Sequence, residues 1–216
     1  MLGVYYNVYM NNYKQFSIYI LFHENLNIFK AKILFPMNKL CTLLCVFLCF
    51  NALSIAQNSP IQGEIVKDYG KFYAVEDTDI KTDTTSEFKV IFDITKSSED
   101  KSVPNKYIAT AARFLNMHAN EGMNKTQLKV AMTIHGGAWQ DVLNNETYKE
   151  KYGVNNPNFD LINQLTKAGV DIIICGQTAG VRGITHENAN PNVKFALSAM
   201  TALLQYQNNG YTFLKL

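Results

Sequence analysis

The chain has 216 residues, 47% hydrophobic and 18% charged, with 20 Lys+Arg against 18 Asp+Glu and a formal net charge of +2. A balance this close to neutral, with no basic stripe, removes the usual electrostatic basis for nucleic-acid binding. Four cysteines are present, but three of them (Cys41, Cys45, Cys49) fall within nine residues of one apolar run.

Residues 1–36 are rich in Asn, Tyr, Phe and Ile and show no clean period. They read as translated upstream sequence in front of a true start at Met37, with a genuine N-terminal extension as the alternative. Met37-Asn38-Lys39 then leads into the apolar run Leu40 to Phe50, followed by Ser54-Ile55-Ala56. A short basic start, an apolar core and small residues at −3 and −1 predict a secretory signal peptide over residues 37–56, cut after Ala56. The core is shorter than the about 20 residues a membrane-spanning helix needs, and no small residue precedes the three cysteines as lipidation would require. The expected location is periplasmic or secreted, with no membrane association after cleavage.

Removing residues 1–56 takes away four of the 20 basic residues and one of the 18 acidic ones, leaving 16 against 17 and a net charge near −1. The remaining length of about 160 residues suits one domain. It retains a single cysteine, Cys175. One cysteine forms no intramolecular disulfide; in an oxidising compartment it implies a reactive thiol, an intermolecular pair, or a buried inert residue.

Residues 57–87 are polar and weakly patterned, an arm with a short strand at Lys71 to Val75. Phe88 to Ile94 is an apolar strand. Ser102 as N-cap and Pro104 in the first turn open a helix carrying Ile108, Ala111, Ala112 and Leu115, closed by Gly122. Leu128 to Ile134 is the second strand and ends at His135-Gly136-Gly137. The partly helical excursion from Ala138 to Asn156 is longer than an ordinary connection. Asn156-Pro157 starts a helix with Leu161, Ile162, Leu165 and Ala168 on one face, and Gly169 ends it. Val170 to Cys175 is the third strand. The turn from Gly176 to Gly183 starts as a short helix. Asn190-Pro191 opens the last helix, whose Val193, Ala196, Leu197, Met200, Leu203 and Leu204 recur at 3.6-residue spacing. Gly210 ends it, and Tyr211 to Leu216 is a final strand. Strands and helices alternating at this spacing predict an α/β fold: a three-layer sandwich around a mainly parallel sheet of four to five strands, with helices on both faces.

In such sheets chemistry gathers at the carboxyl ends of the strands. Cys175 ends one strand, and Gly176 after it lets the backbone approach a ligand. A helix beginning there aims N–H donors at the sulfur and favours thiolate; the competing reading is a small buried hydrophobe. His135 ends the neighbouring strand, as a base or proton donor for the thiol or as a turn histidine. Gly136 and Gln177 are candidate anion contacts. Arg182 either pairs with an anionic sulfur species or forms a surface salt bridge. Trp139 and Tyr148 read as covers of an apolar edge or a subunit contact. Ile134 to Trp139 resembles the oxyanion-hole segment of α/β-hydrolases, but the chain has no G-x-S-x-G or G-x-C-x-G elbow. No Walker loop, no dinucleotide glycine pattern and no ligand spacing among His118, His135 and His186 is present, so neither cofactor nor metal is expected.

With these residues in view, Phe88 to Leu216 resembles the DsrE/DsrF-like sulfur-relay family, over about 80% of the chain beyond the cut. The resemblance is carried by the strand ending in His135-Gly136, by Asn156-Pro157-Asn158, by Val170 to Ile184 including Arg182-Gly183-Ile184, and by Asn190 to Tyr211. It implies a flavodoxin-like fold, homo-oligomers such as trimers or hexamers, and a role for Cys175 as the persulfide-bearing cysteine that exchanges sulfur with a donor or acceptor protein. The well-understood members are cytoplasmic, so an exported chain fits handling of reduced sulfur or thiol redox chemistry better than sulfur relay to tRNA. The alternative is a non-catalytic oligomeric module binding a small ligand or a protein, with Cys175 structural.

Overall fold

The structure, a computed structural model, describes residues 59–216 together with three strands near the N-terminus, β1 (Val4–Asn11), β2 (Gln15–Glu24) and β3 (Asn27–Pro36). The predicted signal peptide lies outside the described residues. The chain divides into two compact units, Met1–Gln57 and Asn58–Leu216. In the first, β1, β2 and β3 pair antiparallel in sequence order, with Val4 opposite Phe22 and Gln15 opposite Pro36. This sheet occupies the stretch in which the sequence shows no clean period.

The second unit is built on five parallel strands: β4 (Phe88–Ile94), β5 (Leu128–Ile134), β6 (Asp171–Cys175), β7 (Lys194–Ala196) and β8 (Thr212–Lys215). Their order is β7-β6-β5-β4-β8. The expected parallel α/β sheet is therefore present, at five strands. The chain steps in one direction from β4 to β7 and crosses back to place β8 beside β4, so the strand order reverses at the β4–β8 boundary. His135 follows β5 and Cys175 ends β6, away from that boundary.

Strand alternation divides the sheet into two unlike faces. Val90, Phe92, Ile94, Val130, Met132, Ile134, Ile172 and Ile174 point to one side and form the main core. They pack under α1 (Ala109–Asn120) through Ala111, Ala112 and Leu115, and under α3 (Phe159–Lys167) through Leu161, Ile162 and Leu165. Each fully buried Leu or Ile contributes about 1.5–3 kcal/mol, so Leu165→Ala, which also leaves a cavity, would cost about 2–5 kcal/mol. The other side carries Lys89, Ile91, Asp93, Lys129, Ala131, Thr133, Asp171, Ile173 and Cys175, and is covered by α5 (Ala199–Asn208), which touches all five strands.

Three expected boundaries move. The helix expected from Ser102 begins only at Ala109. Residues 96–107 are instead organised around the buried Asn105, whose N–H donates to Asn158 Oδ1 (2.7 Å) and whose Nδ2 donates to Asp141 Oδ2 (2.6 Å) and the Lys96 carbonyl (2.7 Å). The helix expected from Asn156-Pro157 begins at Phe159, with both Asn156 and Asn158 buried in hydrogen bonds to neighbouring loops. The last helix is shorter than its 3.6-residue pattern. Lys194–Ala196 adds to the sheet edge as β7, and Ser198 caps α5 by accepting from the Thr201 N–H at 3.0 Å. Small Ala199 and Ala202 are what α5 buries, while Leu197, Met200 and Leu204 are 73, 72 and 62% exposed. Close helix–sheet approach selects the alanines and turns the large apolar residues outward.

The excursion after β5 consists of a 3-10 helix, Gly136–Val142, and α2 (Asn145–Tyr152). The turn after β6 is a seven-residue helix, α4 (Gly176–Arg182). The arm before β4 folds back on itself through paired hydrogen bonds between Ile61 and Phe72. It is tied to α1 by the buried Asn116, which accepts from the Val66 N–H and donates to the carbonyls of Val66, Tyr69 and Gly70 at 3.0–3.3 Å.

Candidate functional site: a thiol between two helix starts

Cys175 is the last residue of β6 and only 6% exposed. It is the N-cap of α4, with extended φ and ψ of −65° and 119°. The chain turns here from strand to helix, so the side chain faces the first turn of α4. The β6–β7 pairing sets Cys175 opposite Ala196, and α5 starts three residues beyond Ala196. Two helix starts thus converge on one sulfur.

The electrostatics follow from that convergence. Burial pushes the Cys175 thiol up. Hydrogen bonding from the Thr178 N–H, the Ala199 N–H, the Thr178 hydroxyl and the Gln177 N–H outweighs it and holds the thiol below its ordinary value of 9.0. Donors that stabilise the charged form are the ordinary means by which a protein turns a thiol into a nucleophile.

Gly176 keeps this geometry compact. A Cβ there would lie 2.5 Å from the Ala196 carbonyl oxygen and 3.0 Å from that of Leu197. Gln177 adds a tie, donating from Nε2 to the Leu197 carbonyl at 3.0 Å.

His135 follows β5 directly, and its extended backbone continues the strand. Ile134, the residue before it, pairs with Ile174, the residue before Cys175, so the two side chains leave adjacent strands at the same end of the sheet. The imidazole is 28% exposed, and its Nε2 is 2.8 Å from Asp93 Oδ1 on β4. The same carboxylate oxygen accepts from the Thr133 hydroxyl at 2.8 Å. Gly136 has φ +57°, a left-handed conformation that favours glycine, and the Gly137 N–H donates to the Thr95 carbonyl at 2.8 Å.

The structure therefore sets Cys175, Gly176, Gln177, His135 and Gly136 at the carboxyl ends of the adjacent strands β5 and β6. It does not bring Arg182 to the thiol. Arg182 ends α4, and its guanidinium lies 5.3 Å from the centre of the Trp139 ring, which Lys151 also approaches at 5.4 Å. Trp139 is thus a cation-binding surface between two elements, and Tyr148 is buried, donating to the Lys101 carbonyl at 3.0 Å. The sequence reading misses Asp93, Thr133, Thr178 and Ala199. Asp93 stands one residue before the end of β4, a position that acquires its partner only when β4 pairs with β5.

The fold and site define a parallel α/β protein with a thiol, held below its ordinary value, at the carboxyl edge of the sheet. The sequence pattern of the DsrE/DsrF-like family matches residues 89–216, and the chain belongs to that family. Membership suggests a function of the sulfur-relay type. Similar solved structures include the protein of unknown function MTH1491 from Methanobacterium thermoautotrophicum, at 13% identity and TM-score 0.46, covering 60% of this chain and 100% of that one. The ychN protein from E. coli is similar at 14% identity and TM-score 0.43, covering 60% and 99%. No curated protein matches the chain.

Proposed function

We propose that the protein is an exported persulfide carrier or sulfurtransferase in which Cys175 accepts and passes on sulfane sulfur. The observation that carries this reading is the place of Cys175 as the last residue of a parallel strand at the carboxyl edge of the sheet, with α4 starting at the next residue and the thiol held below its ordinary value. A lowered thiol pKa favours the thiolate, and a thiolate attacks a persulfide, polysulfide or thiosulfate sulfur. Export rests on the signal-peptide pattern over residues 37–56 and places the work in the periplasm or outside the cell. Partners are a sulfur donor or acceptor protein and further copies of the chain as a trimer or hexamer. Leu197 before α5, Met200 and Leu204 on α5 and Leu214 on β8 supply exposed apolar surface for such assembly.

The test is to incubate the full chain with thiosulfate or polysulfide and measure the mass of the peptide containing Cys175. The proposal expects one added sulfur there, removed by dithiothreitol and absent in Cys175→Ser. An unmodified Cys175 peptide would leave the thiol a structural residue of a binding module. Light scattering at micromolar concentration reads the assembly separately.

A further inference from the structure

Three adjacent strands deliver three chemically matched side chains to the same face of the sheet at the same edge. Asp93 is the penultimate residue of β4, His135 follows β5, and Cys175 ends β6. Alternation puts all three on the α5 side, and the registers Asp93–Thr133 and Ile134–Ile174 set them in neighbouring rows. The order across the sheet is carboxylate, imidazole, thiol.

We propose that Asp93, His135 and Cys175 act as one unit, with His135 exchanging the proton of the Cys175 thiol and Asp93 as its positioning residue. The proposal rests on the thiol chemistry given above and adds the route of the proton. A carboxylate accepts only, so the 2.8 Å contact fixes a proton on His135 Nε2. Nδ1 is then the exchanging atom, and it has no hydrogen-bond partner among the described residues. Thr133 holds Asp93 through a second 2.8 Å bond to the same oxygen. A nucleophile, a base and a third group orienting that base is the arrangement by which weak nucleophiles are activated.

The step balances without an outside oxidant. Nδ1 takes the proton of the Cys175 thiol, and the thiolate forms a bond to the terminal sulfur of a sulfane-sulfur donor. The bond between that sulfur and its carrier breaks. The electron pair leaves with the carrier as thiolate or sulfite, which takes the proton back from Nδ1. Sulfur moves in the zero-valent state, so nothing is oxidised or reduced overall.

Other charged or titratable groups on this face are Lys89, Lys129, Asp171 with its partner Lys194, and Tyr206 of α5, which donates to Asp171. Lys215 on β8 pairs opposite Asp93. The α5 helix, Ala199–Asn208, carries no charged residue. Arg182 at the far end of α4 is drawn over Trp139.

The experiment measures, on the full chain, the rate of iodoacetamide alkylation at Cys175 and the rate of sulfur uptake from polysulfide, each between pH 5 and 9. The variants are Asp93→Asn, Asp93→Glu, His135→Gln and the Asn/Gln double. The unit predicts that His135→Gln changes the shape of the rate–pH profile and not only its height. It predicts at least about tenfold slower reaction at pH 7 in Asp93→Asn and in His135→Gln. The double variant should be no slower than the slower single one, and Asp93→Glu should recover part of the rate. Should Asp93→Asn fail to fold, Thr133→Val, which keeps all three groups, should give an intermediate rate and a profile of wild-type shape. Rates equal to wild type in Asp93→Asn and His135→Gln, or losses that simply multiply, would overturn the unit. A wild-type thiol that alkylates with the His135-dependent profile yet takes up no sulfur sinks the carrier reading and leaves the unit standing. Sulfur uptake unchanged in every variant does the reverse.

Discussion

A methyl group on Gly176 would lie 2.5 Å from the Ala196 carbonyl oxygen, a separation real Cβ atoms essentially never show. The start of α4 is thus pressed against the end of β7, and through that contact the Ala199 N–H at the start of α5 comes within reach of the Cys175 sulfur. Gly176→Ala must push the two apart. Overpacking of this kind costs about 1–3 kcal/mol, visible as a lower melting temperature. The thiol should also lose a donor and alkylate more slowly at neutral pH. Unchanged melting and unchanged alkylation would show that the contact is not needed.

Asn116 is 1% exposed and makes four hydrogen bonds to the backbone of residues 66–70. Asn116→Ala removes them and leaves buried backbone groups unpaired, at about 1–3 kcal/mol for each one that water does not reach. The expected result is selective: hydrogen exchange quickens over residues 63–72, while the β4, β5 and β6 amides keep their protection until global unfolding. Uniform loss of protection would make the arm part of one cooperative unit with the sheet.

Asp141 is 1% exposed, and burial pushes its carboxyl up to about 6 despite hydrogen bonds from Ser97 and Asn105. The folded value lies above the ordinary 3.8, so the folded state binds the extra proton. The stability this group contributes is full below about pH 4 and is lost as pH rises through about 6. The loss is at most about 3 kcal/mol, at about 1.4 kcal/mol for each unit of displacement. Urea unfolding of wild type and Asp141→Asn at pH 4.5 and pH 7.5 measures it. Wild type should lose stability over that interval relative to the variant; parallel behaviour would show that Asp141 ionises freely.

Much of this arrangement was legible in the chain itself. Phe88–Ile94, Leu128–Ile134 and Asp171–Cys175 are dense apolar runs bounded by polar or glycine turns, and all three are strands. That placed Cys175 and His135 at strand ends on one edge. The region from Val193 to Leu204 was misread because its apolar residues keep helical spacing straight through a three-residue strand and the Ser198 cap. Periodicity reports a face and is blind to an edge strand too short to show a period of two. Asp93 was hidden for a different reason. Its role comes from His135, 42 residues later, and only the parallel pairing of β4 with β5 brings the two within 2.8 Å.

The groups at the starts of α4 and α5 hold the Cys175 thiol below its ordinary value, and the direct measurement of this is its titration in the folded full chain. The rate of iodoacetamide labelling at the Cys175 peptide is followed from pH 5 to pH 10, with Thr178→Val alongside. The midpoint should fall below the ordinary thiol value of 9.0, and Thr178→Val, which removes one of the stabilising donors, should move it upward. A midpoint at or above 9.0, or a thiol that labels only on unfolding, would contradict the account.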